Sequence, residues 1–276
     1  MSTLWAVALC AACSACGAPG DDAATTDASV DAPTTCNGAG FGGGEATVHV
    51  AGATGTIMDT GVAVANQPVS ITGIDLAITG QTNAAGAFSL AIEHDLKRPA
   101  LVFGDGLAYP RLAVPIDQAQ TSLTLNTLAL PASGIPLRAG HPAMSGPVSL
   151  DIPAASTVSI DTLVYDTADK QQLRAVWLQA EEESLVLPAG MNFEVLIGLA
   201  PIDTTICPPA TLTIPNGRGW PANAKVEVWA LEDDVFQAWG PFGGWGKVAD
   251  GVVSADADTI TAPLPILKTL ALRRKP

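Results

Sequence analysis

The sequence predicts an all-β protein with two β-sandwich domains behind a disordered N-terminal tether. Charged residues make up only 14% of the 276-residue chain, while 27 glycines and 21 prolines punctuate it, which is unlike a helical bundle. From residue 46 onward, apolar residues recur with a period of two in runs of strand length. Only residues 168–183 offer a helical stripe, and their β-branched, Thr-rich neighbours favour a strand there.

The first sixteen residues, MSTLWAVALCAACSAC, predict a secretory signal. They are apolar and small, and too few to span a bilayer as a mature helix. Ser14-Ala15-Cys16 followed by Gly17 resembles a bacterial lipobox, in which small residues precede a Cys that becomes lipidated. The match departs at Cys13, which stands where Leu is usual, and no Lys or Arg precedes the apolar run. Cys13 is the alternative lipidation site, and an ordinary secreted protein with a cleaved signal is the alternative to a lipoprotein.

Residues 17–44 form the predicted tether. Between residues 17 and 35 no aromatic or large aliphatic side chain occurs beyond Val30, so this stretch cannot bury enough apolar surface to offset chain entropy. It resembles the Asp/Ala/Thr/Pro tethers that follow the lipidated Cys of many Gram-negative lipoproteins. Gly38, Gly40 and Gly43 satisfy G-x-G-x-x-G, but a tether precedes them and a strand follows, so we interpret them as a flexible leader rather than a dinucleotide site.

The charge distribution restricts the partners. The formal net charge is −14, and the only basic cluster is the terminal RRKP, so we expect no nucleic-acid partner. The lipobox resemblance implies attachment to a membrane through an N-terminal lipid. Gly17, rather than Asp, after Cys16 favours the outer membrane, with the protein on its periplasmic or cell-surface side.

Residues 45–131 form the first predicted domain, with strands over 47–50, 69–72, 75–79, 88–93, 100–104 and 122–130. Three motifs follow one another there: PVSI (68–71), TNAAGAF (82–88) and GLAY (106–109). In this order they resemble the carboxypeptidase regulatory-like domain, a transthyretin-type (prealbumin-like) β-sandwich of seven strands. The resemblance implies a structural accessory or surface module. A longer connection over 53–66 departs from the family pattern.

The stretch GQTNAAGAFSLAIEHD (80–95) is interpreted as a hairpin rather than a site. Asn83 and Gly86 suit a tight turn, and Phe88 begins an alternating run that faces the core. His94 and Asp95 are expected beyond the end of that strand, with no third group of matching type nearby in the sequence.

Residues 132–147 are predicted to be an interdomain linker, and residues 148–276 a second β-sandwich domain. Its strands are predicted over 148–152, 157–166, 172–180, 184–187, 192–200, 210–214, 225–231, 251–255 and 266–272. The runs PNGRGWP (215–221), VEVW (226–229), WGKV (245–248) and GVVSAD (251–256) resemble those of β-sandwich modules in large bacterial surface proteins.

Candidates for catalysis and metal binding are few. The only histidines are His49, His94 and His141; none is followed three residues later by Glu, and no G-x-S-x-G elbow is present. The acidic runs at 232–234 and 256–258 lack the Asp-x-Asp-x-Asp-Gly spacing of a calcium loop and are interpreted as solvated turns. We therefore expect no catalytic residue, no metal and no cofactor, with a degenerate hydrolase as one alternative.

Two cysteines lie beyond the signal and the lipidation site, Cys36 and Cys207. Outside the cytoplasm such thiols can pair. Their spacing alone leaves the pairing open.

The aromatic residues of 220–245 supply the remaining candidate site. Strand alternation places Trp229 on the opposite face from Val226 and Val228. With Trp239 and Trp245 it could form a platform for a glycan or a peptide; the alternative is that these rings cap the end of a sandwich. The leading functional prediction is a non-catalytic structural or interaction module at the bacterial surface, with carbohydrate or peptide binding as its rival.

Overall fold

The computed structural model describes residues 36–41, 46–116, 120–178, 186–187 and 190–275. Within these ranges the chain forms nineteen β-strands and no helix, so no described helix is long and apolar enough to cross a membrane. The predicted all-β fold class is confirmed. The residues of the lipidation prediction, Cys13 and Cys16, and most of the tether lie outside the described ranges.

The first domain consists of two four-stranded sheets. Its strands are β1 (Thr47–Asp59), β2 (Val62–Ala63), β3 (Pro68–Thr72), β4 (Ala77–Gln81), β5 (Ala87–Lys97), β6 (Ala100–Phe103), β7 (Leu112–Pro115) and β8 (Gln120–Thr127). One sheet has the order β2-β1-β5, with β8 parallel to β1, and the other has the order β4-β3-β6-β7. Ile57 and Leu90 of the first sheet pack in one core with Ile71, Leu101 and Phe103 of the second, which makes a sandwich.

Strand β1 is much longer than the predicted 47–50, because the chain continues extended through a Gly- and Thr-rich run. Glycine at position 55 is required there: a Cβ would lie 2.4 Å from the carbonyl oxygen of Leu123 in β8. The missing side chain therefore lets β8 run alongside β1.

The second domain is built on one sheet of eleven strands. They are β9 (Ile135–Pro136), β10 (Pro142–Ser145), β11 (Val148–Asp151), β12 (Thr157–Ser159), β13 (Gln172–Leu178), β14 (Val195–Ala200), β15 (Thr204–Pro215), β16 (Lys225–Leu231), β17 (Trp245–Val253), β18 (Thr259–Leu267) and β19 (Leu270–Arg274). Their order is β10-β11-β15-β18-β17-β16-β19-β14-β13-β9, with β12 paired to β15.

This sheet folds over on itself at the junction of β17 and β18. Those two strands pair only at Val252–Thr261 and Val253–Ile260, whereas β17 pairs along its length with β16 and β18 with β15. Leu150 and Leu212 from one half share a core with Val228 and Leu272 from the other half. The second domain is therefore also a sandwich.

The predicted linker, 132–147, belongs to the second domain, which corrects the expectation of a separate connection. Strand β9 pairs with β13, and β10 pairs with β11. Ala143 and Ser145 are buried while Pro142 and Met144 are exposed. This alternation covers only four residues among prolines and glycines, too few for the period to be recognised in the sequence.

The helical alternative over 168–183 is not realised in its described part. Residues 172–178 form β13, which pairs with β14, and residues 179–183 lie outside the described ranges.

The two domains share a hydrophobic core. Side chains along β14, β16 and β19 alternate between the second domain's own core and the face toward the first domain. On that outer face Leu196, Trp229, Leu231 and Ala271 join the core of the first domain. A sheet buried on both faces explains why every residue of β14 is buried.

Candidate functional site

Loop 104–111 of the first domain, between β6 and β7, is the centre of the polar contacts between the domains. One carboxylate oxygen of Asp105 accepts hydrogen bonds from the backbone N–H groups of Leu107, Ala108 and Tyr109, at 2.9, 2.7 and 3.0 Å. Gly104 has φ +86°, and a Cβ there would lie 2.0 Å from the carbonyl oxygen of Pro110. Asp105 and Gly104 thus fix the loop in one compact conformation.

The second domain binds this loop through side chains. The Tyr165 hydroxyl donates to the carbonyl oxygen of Gly106 at 3.2 Å and accepts from the N–H of Ile202 at 2.9 Å. The Thr269 hydroxyl donates to the carbonyl oxygen of Arg111 at 2.7 Å. Burial raises the pKa of Tyr165 to about 12, so the phenol keeps its proton and remains a donor at neutral pH.

An ion cluster of five residues lies beside these contacts: Arg111, Asp203, Glu232, Asp233 and Lys268. The Lys268 Nζ lies 2.6 Å from Asp203, 2.8 Å from Glu232 and 2.8 Å from Asp233. Arg111 of the first domain pairs with the second carboxylate oxygen of Asp233 at 3.1 Å. The second oxygen of Glu232 accepts the backbone N–H of Trp239 at 2.8 Å. Glu232 and Asp233 thus use both carboxylate oxygens and are buried, so the interpretation of 232–234 as a solvated turn is wrong for these two residues.

Protonation states follow from this geometry. Burial alone would lower the pKa of Lys268, but the negative charges of Asp233, Asp203 and Glu232 outweigh it and raise that pKa. Burial would likewise raise the pKa of Asp233, but Lys268 and Arg111 lower it. Asp203 differs: burial and the neighbouring charge of Asp233 raise its pKa to about 6.

The ion cluster is better suited to a structural role between the domains than to catalysis. The ammonium of Lys268 stays protonated, so it has no lone pair to act as a nucleophile or a base. Three carboxylates facing two cations leave one negative charge. Because removing one partner of a buried ion pair leaves an uncompensated buried charge, each of the five residues depends on the presence of the others.

The prediction that Trp229, Trp239 and Trp245 form an exposed binding platform is wrong. Trp229, Trp239 and Trp245 are only 5%, 5% and 6% exposed. The alternation in β16 is as predicted, but the first domain covers the face that carries Trp229 and Trp245, so this face does not meet solvent. Both rings contact Phe193, at centroid distances of 5.9 and 5.3 Å. Trp239 instead belongs to the second domain's own core.

Cys36 and Cys207 form a disulfide, with their Cα atoms 5.3 Å apart. The chain next to Cys36 is held by backbone hydrogen bonds from Gly40 to Ala238 and from Phe41 to Gln237, at 3.1 and 2.9 Å. It then enters β1. The end of the tether is therefore bonded to the second domain before the chain begins the first.

The structure brings His49 together with two carboxylates, those of Glu93 and Asp95, which the sequence analysis did not predict. Strand β5 continues to Lys97, so His94 and Asp95 lie within it and not beyond its end. The two ring nitrogens of His49, in β1, lie 2.8 Å from Asp95 and 3.3 Å from Glu93. Only the pairing register of β1 with β5, which puts His49 opposite Asp95, could have indicated this group of side chains.

The remaining candidates are local turns. Asp256 accepts hydrogen bonds from the Ser254 hydroxyl and the Asp258 N–H, and no group of His, Cys, Asp and Glu in the described residues is arranged to hold a metal ion. Gly38 packs against the carbonyl of Ala238, and Gly43 lies outside the described ranges. No protein-family model and no curated protein matches the chain.

Proposed function

We propose that the chain is a cell-envelope lipoprotein without catalytic activity, whose folded part is a rigid structural or interaction module outside the cytoplasm. The disulfide between Cys36 and Cys207 carries this proposal. Structural disulfides persist in oxidising compartments and are rare in the cytosol, where thiols are kept reduced. The disulfide that joins Cys36 to Cys207 in β15 therefore favours export.

The interface between the domains supports a rigid module. A shared hydrophobic core and the ion cluster join the two sandwiches, with Arg111 and Asp233 paired across the junction. Relative domain motion is the usual expectation unless the interface is large and hydrophobic. A fixed arrangement suits display and binding of partners such as glycans or proteins.

The family assignment remains part of the proposal. Two four-stranded sheets that pack on one core support a transthyretin-type, carboxypeptidase regulatory-like first domain. The folded-over sheet, which runs from β9 to β19, supports a surface-protein β-sandwich for the second domain. Glycan or peptide binding through the three tryptophans is not proposed again, because all three are buried.

A hydrolase is the weaker alternative. Of the three histidines, His49 has a carboxylate beside each ring nitrogen, which leaves neither free to accept a proton from a nucleophile. If a hydrolytic activity were found that any single His→Ala substitution abolished, the non-catalytic assignment would be overturned.

The membrane attachment is tested by mass spectrometry of the N-terminus in the membrane fraction. We expect a diacylglyceryl group on Cys16, located at the outer membrane on its periplasmic or cell-surface side. Cys16→Ser should then move the protein to the soluble fraction, while Cys13→Ser leaves it in the membrane. The reverse pattern would assign the lipid to Cys13, and an unmodified N-terminus in the soluble fraction would contradict the lipoprotein assignment.

A further inference from the structure

The outer face of the second domain carries a groove of about 540 Å³ where β17 and β18 separate. Strands β15, β16, β17 and β18 line it, together with Lys275 immediately after β19. The buried side chains of these strands, such as Leu212 and Leu264, belong to the core, so the groove lies on the opposite, solvent side of the sheet. Its volume is within the range of about 300–1,000 Å³ that small-molecule sites occupy.

The backbone gives the groove its shape. Strands β17 and β18 pair over only two positions. In the same register, the next part of the ladder would put Asp250 opposite Pro263, which has no N–H to donate. Gly251 allows the strands to approach closely just before they separate, because a Cβ there would lie 2.8 Å from the carbonyl oxygen of Thr261. The groove is therefore a fixed feature of the sheet.

Two neighbouring lysines line the groove. The register of β16 with β19 puts Lys225 opposite Lys275, and the Lys275 N–H donates to the Lys225 carbonyl oxygen at 2.8 Å. Like charges directly opposite each other on neighbouring strands are unfavourable. The carboxylate of Asp250, also in the lining, is bonded to the Nζ of Lys247 at 2.8 Å. In the described part of the chain neither Lys225 nor Lys275 has an ion-pair partner, so an anion from outside the chain would relieve their repulsion.

The other side of the groove offers hydroxyls and apolar surface. Thr211 of β15 and Thr261 of β18 line it, and a threonine hydroxyl both donates and accepts hydrogen bonds. Val252 and Pro263, which are half-buried and exposed, supply apolar surface between the charges and the hydroxyls. A ligand that matches all three features has an anionic group, several hydroxyls and an apolar ring face, which is the chemistry of an acidic sugar.

We propose that this groove binds a sugar that carries a carboxylate or a phosphate, with the anionic group between Lys225 and Lys275 and the sugar hydroxyls bonded to Thr211 and Thr261. Lysine suits either anion, because its ammonium is a point charge with three rotatable donors. The site lies apart from the three buried tryptophans and from the domain junction. The proposal goes beyond lipid attachment and the rigid module and depends on neither.

The test is a titration of the full chain, purified in detergent, with three sugars that differ only at C6: glucose, glucuronate and glucose 6-phosphate. Calorimetry gives the affinity, and the backbone NMR signals of Gly251 and Val252 locate the contact. We expect at least one anionic sugar to bind about fivefold or more tightly than glucose and to shift those signals. An ionic strength of about 1 M should remove most of this difference by screening. The tighter of the two anionic sugars identifies the anion as carboxylate or phosphate.

Four variants, all at exposed residues, complete the test. Lys225→Gln and Lys275→Gln should each weaken binding of the anionic sugar about two- to fivefold, and the double variant should bind it no more tightly than glucose. Thr211→Val should weaken binding of glucose and of the anionic sugar alike, about two- to tenfold. Lys97→Gln makes the same charge change in β5 of the first domain and should have no effect.

An aspartate residue blocked at both ends, which has a carboxylate but no sugar hydroxyls, separates a sugar from an acidic peptide. It should bind more weakly than the tighter of the two anionic sugars. Binding at least as tight as that sugar would overturn the proposal in favour of an acidic peptide. Binding of neither anionic sugar, equal binding of glucose and both anions, or wild-type affinity in the double lysine variant would also overturn it.

Discussion

The hydroxyl of Thr82 joins two backbone segments at the corner between the sheets of the first domain. It donates to the carbonyl oxygen of Val64 at 2.7 Å and accepts from the N–H of Gln67 at 2.9 Å, and Thr82 is 3% exposed. Thr82→Ala leaves both groups without this partner and should lower the free energy of unfolding by about 1–3 kcal/mol. Thr82→Ser keeps the hydroxyl and should lower it by less than about 1 kcal/mol. Urea denaturation measures both; equal losses would contradict a role for the hydrogen bonds.

The chemistry of the neighbouring turn was predictable, but its place in the fold was not. Asn83 accepts hydrogen bonds from the N–H groups of Ala85 and Ala87 through its side chain, and Gly86 has φ +71°, as its residue types indicate. The predicted hairpin is wrong, because β4 and β5 belong to different sheets and the turn is a corner. Local residue types specify a tight turn, whereas the pairing partner depends on distant strands.

His49 supplies a prediction about pH. Hydrogen bonds from its ring to Asp95 and then to Glu93 raise the pKa of His49 above 6.5. Asp95→Asn should therefore lower the pKa of His49 more than Glu93→Gln does, measured by NMR titration of the imidazole signals. The stability that this pairing contributes is fully present below pH 6.5 and is lost as the pH rises through the raised pKa. An unchanged pKa in Asp95→Asn would contradict the pairing.

Among the elements, β16 shows what a sequence pattern can and cannot predict. Its bounds, Lys225–Leu231, coincide with the predicted strand, and its alternation places Val228 and Trp229 on opposite faces. The pattern does not say what covers each face. The first domain, whose residues are more than 100 positions earlier in the chain, covers the face that was expected to meet solvent.

For strand β12, in contrast, the predicted bounds differ from those of the structure. The apolar run over 157–166 predicts a ten-residue strand, but only Thr157–Ser159 pair. Asp161 accepts hydrogen bonds from the N–H of Leu163 through its side chain and from the N–H of Tyr165 through its carbonyl oxygen. This turn ends the strand and carries Tyr165 to the domain junction, a tertiary requirement that overrides β-propensity.

The burial of Trp229 gives a prediction at this scale. Its ring packs between the domains beside Phe193 and Arg273. Trp229→Ala should lower the free energy of unfolding by about 3–5 kcal/mol, because it leaves a cavity in the shared core. Phe236→Ala, at an aromatic ring that is 84% exposed, is the matched control and should change it by less than about 0.5 kcal/mol. A small effect of Trp229→Ala in chemical denaturation would mean that the ring is not buried in solution.

At the scale of the whole molecule, the ion cluster makes the union of the domains sensitive to pH. Because the pKa of Asp203 is raised from 3.8 to about 6, the folded state binds more protons than the unfolded state between these values. The contribution of Asp203 to stability therefore falls as the pH rises from about 4 to 6. Asp203→Asn removes this fall, so its melting temperature relative to the wild type should rise between pH 4 and pH 7. Because the Asp203 side chain is 37% exposed, solvent screening reduces the expected rise to about 2–4 °C. A constant difference across this range, in thermal melts, would contradict the raised pKa.

The shared core and the ion cluster predict that both domains unfold in one cooperative transition. Gly198 in β14 allows their close approach, because a Cβ there would lie 2.4 Å from the Cβ of Pro110 in loop 104–111. Gly198→Ala should therefore displace the loop and lower the free energy of unfolding by about 1–3 kcal/mol. Gly217→Ala, where a Cβ meets no atom within 4 Å, should change it by less than about 0.5 kcal/mol. In calorimetry we expect one transition for the wild type and the Gly217 variant, and a lower or split transition for the Gly198 variant. Two well-separated transitions in the wild type would show that the domains fold independently, and equal stability of the two variants would show that this contact does not hold them together.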